Sequence, residues 1–507
     1  MSNLSKKTFA LAAAAAFATA TPLAVAPDLA PVAVAQNNQA VDVNKTASLT
    51  IHKQEGDPGN ATGDVANTEF TIERVQMKNG LNTAAGWKEA GDIVNAGADE
   101  ATLDDTFTAQ NVKTGADGIA KFDNLKVGIY KVTEKTNGNY TVAAPFLVTL
   151  PLTQEDGSLT YTPTISPKNQ KLDPTKAADD ANANVGDEIT YTVKAPVPAG
   201  DVLQDGTRTI SRFRITDDLQ KELTYVADSA AVSLIGAKDG VDAALQSGDY
   251  RITNDGQNLT VEFTEAGLQR LETLRGENPG LTAQVVFKAK VNAIPANGQI
   301  NNTANVYVPN REDPIPTKPE TTKDGDQDTN DTTTQYANVE VTKTLNGNPV
   351  EDEKTGNGAE FEIYPCAPEG DKGYAVAKDA TAIKGTATAD GTKIETSFTA
   401  QGGDVASAKA AVASGFGMQL NPTVQYCAVE TKAPAGYLLN PDPQLLTRTT
   451  EGTDTTRPVY TVAVNDVKDN IWGRLPATGE RTMLYILALG LVLFGGGAAY
   501  QLSRRNA

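Results

Sequence analysis

Short segments in which apolar and polar residues alternate recur along most of this 507-residue chain. Examples are SLTIHK, NTEFTIERV, EITYTVKAP, TAQVVFKAKV and VYTVAV, which are rich in Val, Thr, Ile and Tyr and are separated by Gly, Asn and Asp. A period of two is the pattern of a β-strand with one buried face, and the separating residues favour turns. Helical periodicity is scarce between the two ends of the chain. These features predict an all-β fold made of β-sandwiches.

Two polar segments divide the predicted strands into groups. One is SPKNQKLDPTK, and the other is the Pro-, Asp- and Thr-rich stretch that begins at VPNREDPIPTKPETTKD. The 443 residues from Gln36 to Thr478 leave room for about three domains. We therefore expect an N-terminal domain over 36–170, a middle domain over 171–312, a linker over 313–334 and a C-terminal domain over 335–472.

Three acidic residues alternate within the second polar segment. Asp324, Asp326 and Asp328 place oxygen ligands at every second position, which makes them weak candidates for a calcium site. A solvated acidic linker explains the same residues and is the interpretation we favour. No other cofactor is expected.

The N-terminal end has the features of an export signal. Lys6 and Lys7 precede an Ala-rich apolar stretch, and Ala33-Val34-Ala35 offers a cleavage site with small residues at its first and third positions. Residues 1–35 are therefore a predicted signal peptide. An exported chain can form disulfides, so the pair Cys366 and Cys427 is expected to form one.

The C-terminal end is a predicted membrane anchor. The run 483–502 carries no charge and is long enough to cross a bilayer as a helix. Arg504 and Arg505 follow it and should keep the C-terminus in the cytoplasm. On these features alone, an ordinary single-span anchor remains an alternative.

The pentapeptide before this run is Leu475-Pro476-Ala477-Thr478-Gly479. With the apolar span and the arginines, it resembles the LPxTG sorting signal of Gram-positive surface proteins, over 475–507. The resemblance implies that a sortase cuts between Thr478 and Gly479, holds the chain as a thioester and transfers it to an amine. It also implies attachment to peptidoglycan in the cell wall.

Composition excludes several classes of function. The net charge is −19 and no basic patch is present, so nucleic-acid binding is not expected. The only histidine is His52, which disfavours a histidine-dependent triad and excludes a His-rich metal site. With no nucleophile–base arrangement evident, we do not expect an enzyme.

Several predicted strands place an ionisable or amide side chain on their apolar face, because residues i, i+2 and i+4 share a face. Leu49 and Ile51 lead to Lys53 in one such strand. The same pattern leads to Lys343, Glu134, Glu430, Asp217 and Asn302. Each could lie at a strand end that reaches water. Their recurrence, however, suggests buried groups that must lose their charge or pair. A desolvated lysine is a nucleophilic amine, and a desolvated carboxyl keeps its proton.

This pattern resembles the intramolecular isopeptide domains of Gram-positive pilins and adhesins. The resemblance implies three tandem Ig-like sandwiches of CnaB, CnaA-like and CnaB type, each with a lysine that attacks an asparagine amide beside a carboxylic acid. The implied sets, in the order lysine, acid, asparagine, are Lys53, Glu134 and Asn169; Lys176, Asp217 and Asn302; and Lys343, Glu430 and Asn465.

The third set depends on YCAVETKAPAGYLL, which is similar to the pilin E-box and places its glutamate at Glu430. Val462 and Val464 alternate, so Asn465 falls off their face. A bulge or a strand end is needed to turn Asn465 inward.

The segment that ends in Pro167-Lys168-Asn169 resembles a degraded pilin motif, with Leu159, Pro163, Ile165 and Ser166 at its other positions. The chain as a whole resembles a major pilin of the corynebacterial three-domain type. The resemblance implies a surface fibre in which Thr478 of one subunit joins Lys168 of the next. It also implies pilin-class and housekeeping sortases, tip and base minor pilins and peptidoglycan as partners, with the host-cell surface as a further candidate. A wall-anchored adhesin that does not polymerise is the alternative.

Overall fold

The computed structural model describes residues 41–469, except for 58, 155, 182, 203–206, 321–331, 347, 350–357, 371–372, 387–393, 396, 400, 406–407 and 422–423. The predicted signal peptide, the sorting signal over 475–507 and the calcium candidates Asp324, Asp326 and Asp328 lie outside the described residues. Within the described part of the chain, no helix is both long enough and apolar enough to span a bilayer.

The N-terminal domain is a sandwich of a three-stranded sheet, β11-β1-β6, and a four-stranded sheet, β5-β4-β7-β8, over an apolar core. A small sheet, β12-β2-β3, continues from β1. Its strands are β1 (Ala47–His52), β2 (Gln54–Asp57), β3 (Asn60–Asp64), β4 (Glu69–Arg74), β5 (Gln110–Lys113), β6 (Ile119–Leu125), β7 (Gly128–Glu134), β8 (Phe146–Leu150), β9 (Leu152–Thr153), β10 (Leu159–Thr160), β11 (Thr164–Ile165) and β12 (Lys168–Asn169).

The middle domain contains two larger sheets, β18-β22-β14-β13-β26 and β20-β21-β17-β24-β25, which enclose a single hydrophobic core. Its strands are β13 (Thr175–Asp179), β14 (Glu188–Pro196), β15 (Asp201–Val202), β16 (Arg208–Thr209), β17 (Arg214–Asp218), β18 (Leu223–Tyr225), β19 (Ala231–Ile235), β20 (Tyr250–Asn254), β21 (Asn258–Phe263), β22 (Thr282–Val291), β23 (Gln299–Asn302), β24 (Ala304–Tyr307), β25 (Ile315–Pro316) and β26 (Lys318–Pro319).

The C-terminal domain packs the sheet β32-β31-β35-β27-β39-β38 against the sheet β30-β29-β36-β37. Its strands are β27 (Thr332–Leu345), β28 (Asn348–Pro349), β29 (Glu360–Pro368), β30 (Tyr374–Val376), β31 (Gly385–Thr386), β32 (Ile394–Glu395), β33 (Ser397–Thr399), β34 (Gln401–Val405), β35 (Ala408–Leu420), β36 (Gln425–Lys432), β37 (Gln444–Leu445), β38 (Thr447–Thr450) and β39 (Val459–Asp466). The predicted all-β architecture of tandem sandwiches is confirmed.

In the described part of the chain, two helices interrupt the strands, and the alternating pattern did not predict them. They are α1 (Ala84–Ala96) in the N-terminal domain and α2 (Glu265–Glu277) in the middle domain, and a 3₁₀ turn (Ala98–Glu100) follows α1. Thr83 and Thr264 cap their N-termini by accepting hydrogen bonds from backbone amides of the first turn. The helices add to the sandwiches without changing their sheet order.

The middle domain extends beyond the predicted boundary at residue 312. Strands β25 and β26 lie in the range that we assigned to the linker, and they pair with β24 and β13. The Pro-rich composition suggested a linker, but β26 is an edge strand, and proline is tolerated there because one side of the strand needs no amide donors. The predicted linker range 313–334 is therefore wrong for residues 315–319, and also for residues 332–334, which begin β27 and pair with β23.

The middle and C-terminal domains share one continuous strand. The first residues of β27 pair with β23 of the middle domain, from Gln335 to Thr332. The rest of β27 pairs with β35 and, in parallel, with β39 of the C-terminal domain. Arg457 also donates hydrogen bonds to the carbonyl oxygens of Ile294 (2.9 Å) and Pro295 (3.1 Å) across this junction.

The N-terminal and middle domains meet through two arginines of the middle domain. The Arg275 guanidinium on α2 donates two hydrogen bonds, of 2.9 and 3.0 Å, to the Asp57 carboxylate at the end of β2. Arg311 donates to the carbonyl oxygens of Gly138 (2.8 Å) and Tyr140 (2.6 Å). Both side chains are almost completely buried, so these contacts fix the orientation of one domain against the other.

Candidate functional site: a buried lysine cluster in each domain

Among the residues that the structure describes, each domain contains one lysine whose side chain is fully buried. Lys53, Lys176 and Lys343 each have 0 % of their surface exposed. Lys53 directly follows β1, Lys176 lies on β13 and Lys343 lies on β27, so each belongs to the first strand region of its domain. Burying an isolated ammonium group is very unfavourable, and such a group must pair or lose its charge.

The N-terminal cluster joins Lys53, Glu134 and Asn169. Lys53 Nζ donates to Glu134 Oε2 at 2.9 Å, and Asn169 Nδ2 donates to Glu134 Oε1 at 2.5 Å. Asn169 also donates to the carbonyl oxygen of Thr141. The ring of Phe70 lies beside the amine, 5.9 Å from Nζ to the ring centroid. The structure thus brings the three predicted residues together.

Burial changes the proton affinities of this cluster in opposite directions. It lowers the pKa of the Lys53 amine, and the attraction to Glu134 only partly opposes this effect. It raises the pKa of the Glu134 carboxyl, against the lowering influence of Lys53. Both shifts favour the neutral pair, which consists of a free amine and a protonated acid.

The middle-domain cluster is formed by Lys176, Asp217 and Asn302. Lys176 Nζ donates to Asp217 Oδ2, and all three residues have at most 2 % of their surface exposed. Burial raises the pKa of Asp217, whereas Lys176 and the Asn302 side chain lower it. The aromatic rings of Tyr191 and Phe287 lie 4.7 and 5.6 Å from the Lys176 amine. Here too the predicted residues are neighbours.

The C-terminal cluster contains Lys343 and two carboxyls. Lys343 Nζ lies 2.8 Å from Glu430 Oε1 and donates to Asp466 Oδ1. All three side chains are fully buried. Glu430 Oε2 accepts a hydrogen bond from the backbone amide of Asn440 at 2.9 Å. The ring of Phe361 lies beside the amine, with its centroid 5.8 Å from Lys343 Nζ.

The assignment of Asn465 to this cluster is wrong. β39 keeps a regular alternation, so Val464 and Asp466 face the interior and Asn465 faces outward. Its side-chain oxygen accepts a hydrogen bond from Thr344 at 3.3 Å. The bulge that would have turned Asn465 inward is absent from the described pairing of β39 with β27, which runs without a shift from Asn338 to Leu345. The alternation noticed in the sequence already indicated position 466.

Two carboxyls beside one amine create an imbalance of charge. Burial raises the pKa of Asp466, the Lys343 amine lowers it, and a hydrogen bond that protonated Asp466 can donate to Glu430 raises it, so that the resulting value is about 7. A carboxyl near another carboxylate cannot ionise easily, because the two like charges repel. At neutral pH both the protonated and the ionised forms of Asp466 are therefore accessible.

All three clusters can perform the same kind of chemistry. Each cluster combines a buried amine with an adjacent carboxyl that can transfer protons, and it also contains a side-chain carbonyl carbon that a neutral amine could attack. No external base, metal or cofactor is required for attack of the amine on that carbon. Among the described residues, no group of three or more His, Cys, Asp and Glu side chains is arranged to hold a metal ion.

Lys168 belongs to a different kind of site. It lies on β12, which pairs in parallel with β2, so that Lys168 is opposite Gln54. It is partly exposed, whereas its neighbour Asn169 is buried on the other face of the strand. Lys168 and Asn169 therefore face opposite sides of β12.

A disulfide confirms the predicted pairing of the two cysteines. Cys366 on β29 and Cys427 on β36 are bonded, with their Cα atoms 5.8 Å apart. The two strands are neighbours in one sheet of the C-terminal domain.

Comparison with known proteins identifies the family. Residues 35–170 match the model of the N-terminal domain D1 of Gram-positive pilin subunits, and residues 170–323 match the Sgo0707 N2 domain. The chain is 31 % identical to the fimbrial subunit type 1 of Actinomyces viscosus, with 98 % of both chains covered. This chain belongs to the Gram-positive fimbrial subunits. The fimbrial subunit type 2 of Actinomyces naeslundii is 32 % identical over 95 % of this chain and 93 % of that relative.

The fold of this fimbrial subunit agrees with a solved pilin. The full-length major pilin SpaD of Corynebacterium diphtheriae superimposes with a TM-score of 0.56 at 23 % identity, over 86 % of this chain and all of SpaD. The predicted class of protein is thereby confirmed: the chain is a structural subunit of a fimbria on the Gram-positive cell surface, and it is not an enzyme.

Proposed function

We propose that this fimbrial subunit forms the shaft of a covalent pilus, in which Thr478 of one subunit is joined to the Lys168 amine of the next. A sortase would cleave after Thr478, and Lys168 would resolve the thioester by forming an amide. Thr478 lies outside the described residues, so its part in the proposal depends on the LPATG sequence. Because donor and acceptor lie on different parts of the subunit, the reaction repeats head to tail and gives an open filament.

The position of Lys168 supports this proposal most directly. The residue is partly exposed and stands at the end of the N-terminal domain, close to the middle domain. The neighbouring Gln170 accepts a hydrogen bond from the Ala199 amide at 2.8 Å across that junction. The acceptor lysine is therefore presented from a fixed strand.

The buried clusters support a second covalent role. In the N-terminal domain, the neutral Lys53 amine would attack the side-chain amide carbon of Asn169, and Glu134 would transfer protons until ammonia leaves. Lys176, Asn302 and Asp217 would react in the same way in the middle domain. Each product is a neutral isopeptide bond, so the buried ammonium group is eliminated. Each reaction lowers the mass of the chain by about 17 Da.

Such bonds would connect the beginning of a domain to its end. Lys53 follows the first strand of the N-terminal domain, and Asn169 lies on its last strand. A force applied along the fibre would then pass through covalent bonds, and the sandwich between them would not have to unfold. The proposal also includes the expected partners: a pilin-class sortase, a housekeeping sortase, minor pilins at the tip and base, and peptidoglycan.

Replacement of Lys168 by arginine tests the shaft proposal, because arginine keeps the charge but cannot accept the acyl group. Cell-wall extracts should lose their SDS-resistant ladder, with monomer still attached to the wall. Lys171→Ala is the matched control, since Lys171 is an exposed lysine three residues away and should leave the ladder intact. An unchanged ladder in Lys168→Arg would support the alternative, a wall-anchored adhesin that does not polymerise.

A further inference from the structure

The C-terminal cluster differs from the other two in its third member. The position that Asn169 occupies on the last strand of the N-terminal domain is occupied by Asp466 on β39. Asp466 has 1 % of its surface exposed, and its Oδ1 accepts a hydrogen bond from Lys343. The Lys343 amine contacts Glu430, Asp466 and the ring of Phe361.

We infer that Lys343 and Asp466 form an intramolecular isopeptide bond with the release of water, and that Glu430 transfers the protons. The inference extends the proposed function to the third domain and rests on it. Its chemistry differs from the other two reactions, because the leaving group is the hydroxyl of a carboxylic acid.

The reaction is balanced without any other reactant. Lys343 first gives a proton to the carboxyl pair, which leaves a neutral amine and a protonated Asp466. The Nζ lone pair attacks Asp466 Cγ, and a C–N bond forms. Glu430 accepts a proton from the nitrogen and returns it to the departing hydroxyl as the C–O bond breaks. The products are an amide and one water molecule, and Glu430 is regenerated.

The geometry favours Asp466 over Asn465 for two reasons. The Asn465 side chain points away from the core, so a bond to it would require reversing the faces of β39. Such a reversal would bury Asn465 and expose Val464 and Asp466, which are now interior. The regular register from Asn338↔Val459 to Leu345↔Asp466 opposes any shift by one residue.

The test is peptide mapping of the full-length chain, expressed without a sortase and digested after purification. We expect a branched peptide that joins the segments containing Lys343 and Asp466, lighter than the sum of its parts by about 18 Da. Two results would overturn the inference: recovery of both segments unlinked, or a branch at Asn465 with the loss of about 17 Da.

Three variants make the result specific. Asp466→Asn should still form the bond, but by losing ammonia, and its branched peptide should have the same mass as the wild-type one because the two products are identical. Asn465→Ala should keep the branch with loss of water, and its disappearance there would contradict the inference. Glu430→Gln should leave Lys343 and Asp466 unlinked or strongly slow their linkage. Since Asp466→Asn and Asn465→Ala preserve the interior of the sandwich, the inference stays testable even if Glu430→Gln folds poorly.

The same digest separates this inference from the proposed function. Branched peptides at Lys53 and Lys176 report on the other two clusters, and the Lys168→Arg ladder reports on polymerisation. If those are found while Lys343 remains free, only the inference on the third domain fails.

Discussion

The N-terminal and C-terminal domains each hold a lysine and a glutamate in equivalent positions, yet the last strands of the two domains differ. In the N-terminal domain, β12 has two residues, the partly exposed Lys168 and the buried Asn169. In the C-terminal domain, β39 has eight residues and carries Asp466. One arrangement of strands can therefore hold either an amide or an acid against a buried amine.

The difference also changes the charge of the unreacted domain. Lys53 and Glu134 can form a neutral pair, with Asn169 uncharged. In the C-terminal domain, Glu430 and Asp466 together outnumber the single amine of Lys343. The unreacted C-terminal cluster is therefore the less stable of the two, and the bond to Asp466 removes one acid and the amine at once.

The largest effect is expected when the amine itself is removed. Lys343→Met retains most of the side-chain volume but prevents the bond, which would span 123 positions and stabilise the fold by about 5 kcal/mol through the entropy of the unfolded chain. Lys53→Met should lose a similar amount in the N-terminal domain. The C-terminal variant should lose more, because Glu430 and Asp466 then face each other without a cation.

Hydrogen exchange resolved by peptide can measure the two domains separately, since a chain of three domains does not unfold in two states. Lys378→Met, at an exposed lysine of the C-terminal domain, is the control and should have little effect. Equal losses in the two domains, or no loss in either, would show that the additional acid does not matter.

The sequence predicted the three clusters correctly except for the last member of the C-terminal one. Alternation placed Lys53 after Leu49 and Ile51 correctly, because a fixed period of two leaves only one face for it. Asn465 was chosen for its residue type, because the isopeptide domains that this chain resembles use asparagine. The alternation of Val462 and Val464 had instead indicated that position 466 faces the interior. The contact between the Lys343 amine and the Asp466 carboxyl depends on the register of two strands far apart in the sequence, which local patterns do not specify.

Helix α2 and the strands β25 and β26 were not predicted, because in each case one sequence signal for the element competed with another against it. Leu268, Leu271 and Leu274 recur at helical spacing after the capping Thr264, but Gly267 and Gly276 weakened that pattern. Prolines in the 315–319 segment indicated a linker, and only the edge position of β26 makes strand structure compatible with them. Tertiary position, rather than local composition, decided each of these cases.

A smaller effect should appear in the pH dependence of the Lys343→Met variant. The pKa of Asp466 is about 7, and the variant lacks the amine that lowers it, so the native carboxyl should hold its proton to at least neutral pH. The unfolded carboxyl loses its proton near pH 4. Stability should therefore fall by up to about 1.4 kcal/mol per pH unit as the pH rises from about 4 to 7.

The control is the double variant Lys343→Met/Asp466→Asn, in which Glu430 remains but the side chain at position 466 can no longer titrate. The stability of the C-terminal domain, obtained from peptide-resolved hydrogen exchange at intervals between pH 4 and 8 and corrected for the intrinsic exchange rate, should show the additional slope only in the single variant. Parallel curves for the two proteins would show that Asp466 is ionised in the native domain, and would contradict its assignment as the protonated member of the cluster.

The smallest effect concerns the way in which the N-terminal domain holds its short last strand. Among the described strands, β12 pairs with β2 alone, and the end of β2 is fixed by the bond between Asp57 and Arg275 of the middle domain. β39 needs no such support because it pairs along eight residues with β27. Asp57→Asn should therefore loosen β2 and β12 by about 1 kcal/mol, which corresponds to roughly fivefold faster amide exchange.

Asp92→Asn is the matched control, because it removes an exposed carboxylate from a pair with Lys88 on α1 and should change exchange very little. Exchange at residues 54–57 and 168–169 should respond to Asp57→Asn, while β39 should not. If the 168–169 amides exchanged at the wild-type rate, β12 would be stable without the middle domain. The orientation of Lys168 would then depend on the N-terminal domain alone, and the shaft would keep a reactive acceptor even when its domains move apart.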